Sequence, residues 1–295
     1  MSPRDVLLAL LVCLAWAGNF LTSGLALREM PPLLFSGLRL ALLALLLLAF
    51  LRRPAPGQWP RLLAIALCAG VLHFSLSFWS LKLAGNLSAP AILLQSYVPM
   101  SVLLAWLLLG ERFGWRTGTA VALSFGGVLL LGFDPLVLRS PASLLLMLAS
   151  AFFLAIATVL MRGLAAMDRY GMQGWIAVIG VLPLLGLSAW LEPEGIARLS
   201  DYSMTAWIGV AYAAIVASLL GHGLYYTLVQ RHPVARVTPW LLLSPVFAIG
   251  LGIAFYGDRP GPRLWLGGAM VLGGILVIAL RSQARARPLP DPEEV

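Results

Sequence analysis

The chain has 295 residues, 60% of them hydrophobic and only 11% charged, with a mean hydropathy of +0.92. Soluble globular domains carry about 25% charged residues, so this composition excludes one and points to an integral membrane protein. The net charge of +8 falls in short basic clusters between apolar runs, which suits topology determinants and not a nucleic-acid surface.

A bilayer crossing takes about 17–25 apolar residues, and ten stretches qualify in chain order: 6–27, 33–51, 61–83, 89–109, 115–133, 141–163, 171–191, 204–229, 237–256 and 263–280. The expected fold class is therefore all-α integral membrane, with ten transmembrane helices. The first stretch is ambiguous. Arg4, an apolar run and Ala15-Trp16-Ala17 match a secretory signal ending in an A-x-A cleavage site, yet the apolar run continues through Asn19 to Leu27. Cys13 and Cys68 both lie inside apolar runs, as buried small hydrophobes do, and do not suggest a disulfide or a metal pair. The connections are short and rich in Pro, Gly and Arg, as in Arg52-Arg53-Pro54-Ala55-Pro56-Gly57, and no soluble domain fits between them. Residues 282–295 are polar and proline-rich, and are expected to form a disordered cytoplasmic tail.

Orientation follows from the arginines. With the N-terminus inside, thirteen of the 20 basic residues fall on the inner side: Arg4, Arg52, Arg53, Arg61, Arg112, Arg116, Arg162, Arg169, Arg231, Arg236, Arg281, Arg285 and Arg287. The positive-inside rule then places both termini in the cytoplasm, and a bacterial-type inner membrane is the expected location.

The sequence also repeats at one fixed offset. "FWSL" at 78–81 precedes "YYTL" at 225–228, "GERFGWR" at 110–116 precedes "GDRPGPR" at 257–263, and Gly126-Gly127 precede Gly273-Gly274, each by 147 residues. Ala122 and Gly126 likewise precede Ala269 and Gly273, a four-residue small-residue spacing that suits close helix packing. Five helices per repeat is an odd number, so the second repeat enters the membrane inverted. The expected units are 1–134 and 135–281, two inverted five-helix repeats, the architecture of alternating-access carriers with a substrate site near the midplane. Cleavage after Ala17 would leave five helices facing four, so the repeat favours keeping the first helix.

"LAWAGNF" in the first helix, "MPPLLFSGLR" opening the second, "LLLGERF" after the fourth and "LLLSPVFAIGLGIAFYGDR" through the ninth resemble the ten-helix EamA branch of the drug/metabolite transporter superfamily. The resemblance is nearest to its bacterial amino-acid and metabolite exporters, such as the O-acetylserine/cysteine exporter, and covers about residues 5–280. It implies an inner-membrane exporter of small metabolites and carries few binding residues over. Trp16, Asn19, Arg39 and Pro245 are the positions that match its motifs.

Candidate substrate-binding residues come from polar and aromatic groups at bilayer depth. Trp16, Asn19 and Ser23 share a helical face. Asn19 there either ties two helices by a hydrogen bond or lines a cavity, because an unpaired amide at this depth costs a few kcal/mol. His73, Ser77 and Ser80 share a face of the third helix, beside Phe74, Phe78 and Trp79. Ser218, His222, Tyr225 and Tyr226 do so on the eighth. These helices correspond across the repeat, so both faces are expected to meet at one cavity suited to a small amphipathic or zwitterionic solute; buried structural histidines and packing aromatics are the alternative. Gln95, Tyr97 and Pro99 on the fourth helix and Trp240, Ser244 and Pro245 on the ninth accompany them, and the prolines are expected to bend their helices. The predicted lining set is Trp16, Asn19, His73, Phe78, Trp79, Gln95, His222, Tyr225 and Tyr226. Trp106, Trp175, Trp207 and Trp265 lie nearer helix ends, as interfacial anchors do. Arg39 lies about 9 Å beyond the start of its apolar run. It is expected to snorkel to the outer interface or to make a structural ion pair; pairing with a departing amino acid's carboxylate is the other possibility.

None of the 12 acids sits at the centre of an apolar stretch, which disfavours a proton-coupled exporter of cationic drugs. His73 and His222 are the groups placed to carry protons, if any are coupled. No H-E-x-x-H, G-x-S-x-G or phosphate-loop pattern occurs, so no enzyme, cofactor or bound metal is expected; a membrane-embedded enzyme, a channel or a multidrug exporter are the alternatives. The expected partners are a small-molecule substrate and membrane lipid, not nucleic acid. The oligomeric state is left open, a monomer being compatible.

Overall fold

The structure, a computed structural model, describes residues 1–164, 167–232 and 234–285, without the side chains of 226, 234, 235 and 282–285. Every regular element among the described residues is helical. The ten principal helices are α1 (Pro3–Ala26), α2 (Pro32–Phe50), α3 (Trp59–Ala84), α4 (Ser88–Leu109), α5 (Trp115–Gly132), α6 (Pro141–Leu164), α7 (Arg169–Leu191), α8 (Met204–Arg231), α9 (Arg236–Tyr256) and α10 (Pro262–Arg285). Nine of these ten are long and apolar enough to cross a membrane. The exception is α5, whose first turn spends its residues on Arg116, Thr117 and Thr119. The last helix reaches Arg285, four residues past the sequence boundary at 281, and the tail from 286 lies outside the described residues.

Local chemistry sets the helix ends. α1, α2, α6 and α10 each begin on a proline, where the missing N–H would have had no intrahelical partner. Ser2 and Asp5 form a reciprocal capping box at the start of α1. α4 and α9 both stop at a left-handed glycine, Gly110 (φ 66°) and Gly257 (φ 73°), which are the glycines of the repeated GER and GDR loops.

Irregularities inside the helices recur at the same offset. α4 is interrupted at Gln95-Ser96 and α9 at Leu242, 147 residues after Gln95. Pro99 and Pro245 explain this, since each lacks the N–H that would bond four residues back, at Gln95 and Leu241. A π-helical stretch occupies Ala66–His73 in α3 and Tyr212–Gly221 in α8, again corresponding positions.

Tertiary packing has the same symmetry. α1 packs on α8 and α9, while α6 packs on α3 and α4; α2 packs on α7, and α5 on α10. Moving every helix five places along the chain returns the same pairings, so the two repeats are interlocked and not side by side. The α5–α10 seam shows the relation at atomic level. A Cβ built on Gly127 would lie 2.5 Å from the Gly267 carbonyl oxygen, and one on Gly274 would lie 2.5 Å from that of Ala120. These are one contact, exchanged between repeats. As the residue number rises on α5 it falls on α10, so the two helices are antiparallel, as inversion requires.

Small polar groups zip α3 to α6. The hydroxyls of Ser80 and Ser143 each donate to the other's carbonyl (2.7 and 2.9 Å), and seven residues along each helix Ser150 Oγ donates to the His73 carbonyl (2.9 Å) while lying 2.8 Å from His73 Nδ1. Both cysteines are free, and Cys13, fully buried, donates to the Trp240 carbonyl.

Candidate functional site

The π stretch of α8 organises the interior. A π turn draws carbonyls away from their ordinary i+4 donors, and three of them here accept side chains from three different helices. Arg39 Nε on α2 donates to Ala213 O (3.4 Å), Trp16 Nε1 on α1 to Ala217 O (3.2 Å), and Gln173 Nε2 on α7 to Ser218 O (3.4 Å). Ser218 Oγ also bonds Ala213 O and receives Arg39 Nη2 at 2.7 Å.

Arg39 does not snorkel. It is 3% exposed, its guanidinium carbon stands 3.7 Å from the centroid of the Phe74 ring, and among the described residues no carboxylate lies within ion-pair distance of it. The eighth residue of a 19-residue helix, it turns inward onto α8 and not toward a helix end. Among the described residues its Nη1 has no hydrogen-bond partner, nor has Oε1 of Gln173, which is 9% exposed. An unpaired buried charge is among the costliest arrangements a protein can hold.

The predicted residues divide into two neighbouring groups. On the α1–α8 side, the Trp16 ring meets His222 (5.4 Å between centroids) and Tyr225 (5.9 Å), and Asn19 accepts a hydrogen bond from Ser23 on its own helix. On α3, His73 is buried against Ser150 and beside Phe74 (4.7 Å), Phe78 packs edge-on to Phe35 at 4.8 Å, and Trp79 lies against the leucines of α2 and α7. Arg39 links the groups: it covers Phe74 and bonds Ser218 one turn before His222. Gln95 is half-buried at the α4 interruption. The Tyr226 side chain lies outside the described residues. Sequence reasoning missed Gln173, although a glutamine inside an apolar stretch carries the same signal that singled out Gln95.

The two ends of the bundle differ. On the face that carries the start of α1 and the end of α10, a cavity of about 540 Å³ opens between the repeats, lined by Arg52, Arg53, Asp168, Arg169, Tyr170 and Gln230, among others. Tyr170 forms its inner limit: a Cβ built on Gly223 of α8 would lie 2.4 Å from the Tyr170 hydroxyl. Gln173 follows one turn deeper on α7. The opposite face is tied shut by acids that cap helix starts in the other repeat. Glu192 accepts from the backbone of Leu33 and Leu34, Asp258 from Leu87, Ser88 and the Ser88 hydroxyl, Asp134 from Leu264, and Glu29 from Ser203. Each bond joins a loop of one repeat to a helix N-terminus of the other, where the helix dipole favours negative charge. The far face is thus held together by four carboxylate caps between the repeats, whereas the terminal face carries a cavity between its loops.

The EamA-like transporter family model matches residues 4–133 and again 141–280, one copy on each five-helix repeat. The chain belongs to the EamA-like transporter family. As an EamA-like protein it is a multi-pass membrane exporter, built as two inverted repeats that act on a small-molecule substrate. It is 28% identical over 285 residues to a protein of Escherichia coli (strain K12) named "Probable amino-acid metabolite efflux pump", covering 94% of this chain and 95% of that one. The protein of the same name in Salmonella typhimurium is 30% identical, with 95% and 94% covered. A "Probable terminal-alkyne amino-acid exporter" of Streptantibioticus cattleyicolor is 29% identical, with 96% and 95% covered. A solved crystal structure shares the fold at a TM-score of 0.59 and 19% identity, over 97% of this EamA-like chain and all of that one.

Proposed function

We propose that this exporter carries amino acids or closely related small metabolites out of the cytoplasm by alternating access, with both termini on the cytoplasmic side of the inner membrane. The observation that carries the reading is the buried polar and aromatic seam, built from both repeats around the π stretch of α8 and placed between a face that carries a cavity and one held together by carboxylate caps. Trp16, His222 and Tyr225 form its aromatic wall, with Asn19 and Gln95 at its margins; His73, Phe78 and Trp79 back it from α3. Aromatic walls with a few directed polar groups suit a solute of amino-acid size. A lipophilic cation would find no carboxylate within this seam among the described residues, which tells against a multidrug role.

The basic loops of the terminal face support its cytoplasmic placement, so the cavity there is the entrance. Substrate entering past Tyr170 reaches the seam, and the repeats then re-pack so that the carboxylate caps of the far face release while the terminal face closes. One chain supplies every helix of the seam, so a monomer suffices, its lipid contact provided by outward leucines such as Leu45, Leu145 and Leu182.

Counterflow in proteoliposomes tests the reading. Vesicles preloaded with an unlabelled mixture of the twenty standard L-amino acids should accumulate label transiently from the same mixture, saturably and only when the protein is present. No accumulation of any of the twenty would refute an amino-acid substrate.

A further inference from the structure

We infer that Arg39 and Gln173 together form the head-group anchor of the substrate site, with Arg39 Nη1 receiving the α-carboxylate and Gln173 Oε1 the α-ammonium of a zwitterionic amino acid. The inference rests on the export reading above and deepens it by naming the atoms that would recognise the substrate class.

Three observations carry it. First, the two groups are more than nine-tenths buried and each keeps one polar atom without a hydrogen-bond partner among the described residues, a donor on Arg39 and an acceptor on Gln173. Second, both side chains bond one residue, Ser218: Arg39 Nη2 donates to its hydroxyl and Gln173 Nε2 to its carbonyl, while Arg39 Nε donates to Ala213 O. The orphan donor and orphan acceptor thus belong to two side chains held by one residue, as carboxylate and ammonium are held by one α-carbon. The orientation of the Gln173 amide is set chemically, because the Ser218 carbonyl can only accept, which leaves the oxygen as the free end. Third, Arg39 is a buried cation with no carboxylate within ion-pair distance among the described residues, lying instead over the Phe74 ring. A permanent cation buried without a counter-charge among the described residues fits a site whose counter-charge arrives with the ligand.

Placement agrees with the route. Gln173 lies about one helical turn along α7 from Tyr170, which lines the terminal-face cavity. The anchors also come from α2 and α7, helices paired across the repeat boundary, with Ser218 on a third element of the second repeat. Re-packing of the repeats would thus change the geometry of the anchor itself, which couples ligand binding to the choice between the two faces.

The test uses the full chain in proteoliposomes and counterflow of the labelled amino-acid mixture, resolved by chromatography to find which components move. For one component that moves, the unlabelled parent, its decarboxylated amine and its deaminated acid are compared as competitors. In the wild type both analogues should compete at least tenfold more weakly than the parent. Arg39→Lys, which keeps the charge but loses the fork, and Gln173→Met should each lower counterflow at least tenfold while eluting as monodisperse protein. In Gln173→Met the penalty on the deaminated acid relative to the parent should disappear. Equal competition by either analogue in the wild type overturns the inference, and so does unchanged counterflow in Arg39→Lys. The wild-type competition decides the matter even where a variant fails to fold. If the wild type moves none of the twenty, it is the amino-acid reading that fails.

Discussion

The interlocking of the repeats can be broken with one methyl group. At Gly274 an added Cβ would lie 2.5 Å from the Ala120 carbonyl oxygen and 3.2 Å from Ser124 N, both backbone atoms of α5 that cannot rotate away. At Gly127 it would meet the Gly267 carbonyl at 2.5 Å and Val271 N at 2.9 Å, backbone atoms of α10. Ordinary contact needs more than 3 Å, so Gly274→Ala or Gly127→Ala must push the two helices apart by more than half an ångström along a tightly packed seam. Overpacking of this kind costs about 1–3 kcal/mol. The neighbouring Gly273 has open space where its Cβ would stand, so Gly273→Ala should be neutral or stabilising by up to about 1 kcal/mol through helix propensity. In a chain of this size each kcal/mol moves a thermal midpoint by about 2 °C. The apparent midpoint of the detergent-purified protein should fall by about 2–6 °C in Gly274→Ala and in Gly127→Ala, and should not fall in Gly273→Ala. Because the two contacts are one contact exchanged by the repeat, the two damaging variants should be alike. If Gly274→Ala and Gly273→Ala melt together, the helices are not packed in this register.

Ser150→Ala removes the hydroxyl that serves both the ring and the carbonyl of buried His73, and should lower stability by about 1–3 kcal/mol, measured as the same thermal midpoint. Trp16→Phe keeps the ring against His222 and Tyr225 but deletes the donor to Ala217 O; the expected loss is about 1 kcal/mol, with maximal counterflow reduced. Asp258→Ala leaves buried N–H groups of Leu87 and Ser88 without their acceptor and should loosen the closed face. A cysteine at Ala89, 3% exposed in the structure, should then gain reactivity toward a membrane-impermeant maleimide, whereas in an otherwise wild-type chain it stays protected. For orientation, a reporter active only in the cytoplasm should work when fused after residue 285, and alkaline phosphatase should be active when inserted between Arg198 and Asp201.

Sequence periodicity reached the helices and the inversion because both depend on properties each residue carries with it. Apolar runs mark the spans, and the offset of 147 links Gly110 to Gly257, the Gln95 interruption to that at Leu242, and one π stretch to the other. The site was only partly visible for a physical reason. Trp16, His222 and Tyr225 announce themselves as polar or aromatic groups at depth, and they do meet. Arg39 looked close enough to its helix start to reach water, because distance along one helix says nothing about what stands beside it. Phe74, Ser218 and the α7 wall close off that exit, and only tertiary packing puts them there. His73 shows the converse. By type and depth it is as good a lining candidate as His222, yet Ser150 on α6 engages both its ring and its carbonyl. The two histidines have different neighbours across the interface: α6 offers a serine to the first, and α1 sets the Trp16 ring edge-to-face with the second. The repeat therefore builds its two halves from one plan but differentiates them at these partners, and the polar seam follows the half whose π-stretch carbonyls are taken by side chains from α1, α2 and α7.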